Sequence, residues 1–95
     1  MRRRAWLAVW LLPLLAQGRD PTQVRNFRRE HACPSTGKPR GACPGWDVDH
    51  IHPLCAGGAD APHNMQWLGR EDHRFKTFVD ARECRKQRRA ERGQP

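Results

Sequence analysis

Three things are missing from this sequence. No stretch is apolar for the roughly 20 residues that a membrane-spanning helix needs. No segment repeats itself, which excludes a solenoid or propeller. No two cysteines stand as a Cys-x2-Cys or Cys-x4-Cys knuckle, which weakens any case for a structural zinc site held by cysteines. A chain of 95 residues also has room for only one domain.

The longest apolar run, Ala5 to Ala16, follows a charged start, Met1-Arg2-Arg3-Arg4, and ends in Ala16-Gln17-Gly18. A charged lead, a short apolar core and small residues at the cleavage positions form an export signal. The competing reading, a membrane anchor, requires a longer run. Residues 1–18 are therefore expected to be a cleaved signal peptide. The mature chain would be exported, periplasmic or secreted, with no stable membrane association. Losing three arginines lowers the net charge from +8 to +5, with 15 basic against 10 acidic residues. A chain that remains basic suits a polyanionic partner.

So short a domain builds a marginal core and needs a cross-link or a metal. Cys33, Cys43, Cys55 and Cys84 meet that need. Behind an export signal, an even number of cysteines reads as two disulfides, each contributing about 2–4 kcal/mol, in one of three pairings.

Residues 19–32 are a polar arm whose only sizeable apolar residues are Val24 and Phe27. The residues leave open whether it is a short helix or an ordered extension. From Cys33 to Gly45 the chain is dense in Pro and Gly, hence loop, and a Cys33–Cys43 bridge would close it. Trp46 to Ile51 and Asn64 to Leu68 read as strands of a hairpin with a long, small-residue loop between them. From Arg70 the period becomes helical. Phe75, Phe78, Val79 and Arg82 share one face, while His73, Lys76, Thr77 and Asp80 lie on the other. The helix is expected to reach about Arg85, with residues 86–95 a basic, disordered tail.

The chemistry lies in Asp49-His50, Asn64 and His73. Breaking a phosphodiester requires a proton acceptor for the attacking water and positive charge at the leaving oxygen. Histidine titrates near neutrality and suits the first task. An oxygen and a nitrogen ligand on one divalent ion suit the second, and two protein ligands leave coordination positions open.

The run Val48-Asp49-His50-Ile51-x-Pro53-Leu54-x-x-Gly57-Gly58-x-Asp60, then Asn64-Met65-Gln66-Trp67 and His73-x-x-Lys76, resembles the HNH endonuclease family. The upstream Cys33-Pro34 and Cys43-Pro44-Gly45-Trp46 is similar to a branch of small phage and bacterial members. The resemblance covers about residues 33–84. It implies a ββα-metal finger: a small α+β fold of a two-stranded antiparallel hairpin plus helix, here with a cysteine-stabilised N-terminal loop. His50 is implied as general base, and Asn64 as the catalytic-site asparagine that ties the loop and orients that base. Asp49 and His73 are implied as ligands of one divalent ion, with Mg2+ or Mn2+ first and Zn2+ or Ni2+ also compatible. Where some members carry a third ligand, this chain has Thr77.

Lys76 and Arg74 on the helix and Lys38 and Arg40 on the loop are candidates for contact with nucleic acid, DNA being favoured. His52 is expected to face solvent, and His31 and His63 to lie on the surface. Trp46 and Trp67 are expected in the core rather than stacked on bases. No dedicated helix or repeat is present to read base edges, so low sequence specificity is expected. The resulting expectation is a metal-dependent endonuclease with its domain at residues 33–85. Two alternatives are a catalytically silent nucleic-acid-binding module and a disulfide-rich secreted scaffold. Oligomeric state stays open.

Overall fold

The polar arm is a helix. The computed structural model describes residues 20–93, so the expected signal peptide lies outside the described residues, as do Arg19, Gln94 and Pro95. Helix α1 (Pro21–Glu30) starts where Asp20 Oδ1 accepts the Thr22 N–H at 2.9 Å. Pro21 fits there because the first helical position needs no amide donor. Arg28 and Arg29 occupy the last turn, opposite the negative end of the helix dipole. Phe27 is the buried residue of α1, with ring centroids 5.0 Å from His31 and 5.9 Å from Trp67. The Trp67 indole N–H donates to the His31 carbonyl at 2.7 Å, and the Arg28 guanidinium lies 5.2 Å from the Trp67 ring. Trp67 thus packs between arm and hairpin.

The hairpin is formed by β1 (Trp46–His50) and β2 (Met65–Gly69), antiparallel, with Trp46 opposite Gly69 and His50 opposite Met65. Both strands match the expected positions to within a residue at each end. Between them the chain makes two 3-10 turns, at Leu54–Ala56 and Pro62–Asn64. Gly57 ends the first with φ at +95°. Gly58 follows where a Cβ would run into the backbone of His52 and Pro53, so a side chain is excluded.

Helix α2 (Arg70–Glu91) follows β2 directly, its first N–H bonded to the Gly45 carbonyl at 3.0 Å. It passes Arg85 and continues to Glu91, so most of the expected disordered tail is helical. Lys, Gln, Arg, Ala and Glu are all good helix formers, and lack of aliphatics does not end a helix. The architecture is small α+β, a two-stranded antiparallel hairpin followed by a helix.

Both disulfides are formed, Cys33–Cys43 across the Pro/Gly loop and Cys55–Cys84 between the first 3-10 turn and α2. A four-cysteine zinc site is thereby excluded, and the paired thiols fit an oxidising environment. Among the described residues no helix is long and apolar enough to cross a membrane. The buried apolar set is Phe27, Cys33, Ala56, Met65 and Cys84, so the cross-links supply much of the interior. The Phe75, Phe78 and Val79 face of α2 lies in solvent, with Phe75 71% and Phe78 72% exposed. What the helix turns toward the hairpin is its polar side.

Candidate functional site

The inward side of α2 meets the end of β1. Asp49 and His50, neighbours on one strand, are both buried, and both line a cleft of about 310 Å³ with Val48, Pro53, Leu54, Cys55 and His73. Adjacent strand residues normally point to opposite faces. Here His50 is the last residue of β1 and the chain bends directly after it, bringing both side chains to the cleft wall.

His73, in the first turn of α2, approaches from the other wall. Its Nε2 lies 3.7 Å from Asp49 Oδ1, and its Nδ1 lies 3.0 Å from Asp47 Oδ2. An ionised carboxylate only accepts, so Nδ1–H donates to Asp47, and in the neutral ring the lone pair is on Nε2, on the side of Asp49. A carboxylate on one ring nitrogen is the usual orienting partner of an imidazole that binds metal through the other. Asp47 also sits 3.8 Å from the Arg70 guanidinium. The sequence reading missed Asp47, although it stands two residues before Asp49 and so shares its strand face.

His50 is held in a similar way. Its Nε2 lies 3.0 Å from Asp60 Oδ1, and the other oxygen of Asp60 accepts the Asp20 backbone N–H at 2.8 Å. With Nε2–H donating to Asp60, Nδ1 is left as the proton acceptor. Asn64 fixes the intervening loop. Its Oδ1 accepts the His52 N–H at 2.9 Å, while Nδ2 donates to the carbonyls of His52 at 2.9 Å and Ala59 at 2.8 Å. His52 itself is exposed and donates through Nε2 to the Ala56 carbonyl at 3.0 Å.

The remaining positive charge is Lys76. Its ammonium reaches Asp80 at 2.8 Å, the His50 carbonyl at 2.8 Å and Asp49 Oδ2 at 3.1 Å. Burial works against the charged form, but hydrogen bonds to Asp80 and Asp49, and their charges, outweigh it. Lys76 is held above the ordinary lysine value of 10.5. Gln66, opposite Asp49 across the hairpin, adds a bond to Asp49 Oδ2 at 3.0 Å. Lys76 was expected to reach for phosphate; the structure directs it to two carboxylates and a backbone oxygen.

Of the other candidates, Arg74 is exposed, and Lys38 and Arg40 are exposed on the disulfide loop. Thr77 is turned to the helix, its hydroxyl donating to the His73 carbonyl at 2.9 Å. It contributes nothing toward Asp49. Among the described residues no group of three or more His, Cys, Asp or Glu side chains is arranged to hold a metal ion; Asp49 and His73, the two ligands that the motif implies, do face one another. Set against family models, curated proteins and solved structures, the chain finds no match in any of the three. The likeness to HNH nucleases therefore rests on the motif alone.

Proposed function

We propose that the protein is an exported, metal-dependent endonuclease of the HNH type, hydrolysing phosphodiester bonds of nucleic acid with low sequence specificity. The observation that carries this reading is the shared cleft. One wall bears an imidazole fixed by a carboxylate, His50 on Asp60. The other bears a nitrogen and an oxygen donor 3.7 Å apart, His73 Nε2 and Asp49 Oδ1.

The donor pair fits a divalent ion with a small adjustment, since bonds of about 2.1 Å at right angles set two donors roughly 3 Å apart. Bound there, the ion would stabilise negative charge on the phosphate and on the leaving oxygen. The chain's own residues do the rest. His50 Nδ1 takes the proton of the attacking water, and Asp60 holds the ring in the tautomer that can accept it and favours the imidazolium that forms. Asn64 keeps the loop that carries Asp60 in register with β1. The excess of basic residues favours association of the chain with a polyanion.

The decisive experiment is cleavage of plasmid DNA by the purified protein with Mg2+ or Mn2+, against chelator and against His50→Ala. Turnover should require the ion and vanish in His50→Ala, with DNA binding retained. A His50→Ala protein that cuts at the parent rate overturns the assignment. One observation favours the silent nucleic-acid-binding module instead: the Lys76 ammonium already sits on Asp49, where it supplies a positive charge without any metal. That alternative predicts binding with no cleavage and no response to metal.

A further inference from the structure

A second cavity, of about 440 Å³, is lined by Arg25 and Arg29 of α1 and by Pro39 and Arg40 of the disulfide-closed loop. Among the described residues three guanidiniums line it and no carboxylate does. Among the described residues, none of the three takes part in an ion pair. Arg25 donates to the Thr22 hydroxyl at 3.0 Å and Arg29 to the Asn26 side-chain carbonyl, both neutral acceptors on the same helix. Among the described residues their charges have no acidic partner around this space.

We infer that this cavity is a second phosphate-binding site, which holds the backbone of a nucleic-acid strand away from the point of cleavage. The inference rests on the nuclease reading for the identity of its ligand. Guanidinium is a planar fork that matches phosphate oxygens two at a time. Arg25 and Arg29 are one helical turn apart, about 6 Å along the axis, a step comparable to that between successive phosphates of an extended strand. Arg40 closes the space from the opposite loop. Among the described residues the lining is three arginines and Pro39, so what they present is guanidinium charge, which suits the repeated phosphates of a strand. The helix that bears the arginines is also the one whose first backbone N–H neighbour, at Asp20, bonds to Asp60, the carboxylate that holds His50. The arginine site and the base are thereby parts of one connected frame.

The test uses the full chain and its variants Arg25→Gln, Arg29→Gln and Arg40→Gln, singly and together. Binding of a labelled single-stranded oligonucleotide is followed by anisotropy in chelator, across about 50 to 200 mM salt. Each single change should lower the slope of log affinity against log salt by roughly 0.7, and the triple variant by about three times that. Hydrolysis of a small chromogenic phosphodiester, too short to reach the arginines, should be unchanged. The single variants keep the test readable where the triple variant fails to fold. Parent-like affinity and slope in every folded variant overturn the site. Loss of binding to anionic lipid vesicles with oligonucleotide binding intact also overturns it. A parent protein that binds the strand through these arginines yet cuts neither substrate leaves the site standing and removes the nuclease reading.

Discussion

Asp60 and His50, ten residues apart, meet across the loop at 3.0 Å, carboxylate to Nε2. Because the second oxygen of Asp60 is engaged by the Asp20 backbone, the carboxylate is held from both sides and cannot turn freely. The ring of His50 inherits that fixity. In the proposed mechanism Asp60 would act through His50, as a positioning residue.

Asp60→Asn should therefore preserve the fold and impair turnover. An amide offers a donor as readily as an acceptor, so the ring loses the constraint that keeps Nδ1 unprotonated. A fall in kcat of roughly 10²–10⁴-fold is expected, by analogy with the loss of the orienting carboxylate in serine hydrolases, with KM little changed. Steady-state kinetics with a changed pH–rate profile would establish the role. An equal loss in thermal stability and kcat, with an unaltered profile, would reduce Asp60 to scaffolding.

Lys76 leads to a prediction in pH. Its folded-state value lies above 10.5, so the charged form is favoured by folding. The stabilisation is present in full below the unfolded value and is lost as pH rises through the folded one. Lys76→Met should lower stability from neutral pH up to about 10.5, by up to roughly 3 kcal/mol because Asp49 loses its buried partner, and the gap to the parent should close at higher pH. Added Mg2+ or Mn2+ should raise the melting temperature of Lys76→Met more than that of the parent, since a cation can replace the ammonium on Asp49. Denaturant titrations across pH, with and without metal, test both halves. A variant insensitive to metal would argue against cation binding at Asp49 and His73.

How much of this was legible beforehand depended on distance along the chain. The hairpin and the start of α2 follow from alternation and period, which are local. Asp49, His50 and His73 were named from a motif, and the fold brings Asp49 and His73 within 3.7 Å. Asp47 is equally readable from strand period but lies outside the motif. Asp60 as partner of His50 was not readable, since the contact depends on the path of the loop that Asn64 ties. The start of α1 was signalled by Asp20-Pro21, but Val24 and Phe27 alone gave too weak an apolar face to decide for helix. Of the three cysteine pairings, that of Cys55 with Cys84 was settled only by α2 lying across the 3-10 turn.

The two cross-links should differ in what they stabilise. Their sequence separations are 29 for Cys55–Cys84 and 10 for Cys33–Cys43. Loop-closure entropy puts the first at roughly 3.5 kcal/mol and the second at roughly 2.7 kcal/mol. Replacing Cys55 and Cys84 together by Ser should also loosen α2 from the cleft that Cys55 lines, lowering activity along with stability. Replacing Cys33 and Cys43 should leave hydrolysis of a small phosphodiester intact. Chemical unfolding paired with that assay separates the two, and equal loss of activity in both pairs would contradict the division.

The outward face of α2 supplies the last contrast. Phe75, Phe78 and Val79 have the spacing of a buried helix face, yet Phe75 and Phe78 are more exposed than covered, while Phe27 is 3% exposed. The helix is held by Cys55–Cys84 and by the ion pairs of its polar side, so the apolar stripe contributes little to folding. Phe78→Ala should accordingly cost less than about 1 kcal/mol, against roughly 3–5 kcal/mol for Phe27→Ala. Denaturant midpoints of the two variants, measured at one low protein concentration, make the comparison directly. A Phe78→Ala loss as large as that of Phe27→Ala would mean that the helix presses its apolar side into the protein, and the orientation that directs His73 and Lys76 toward Asp49 would fall with it.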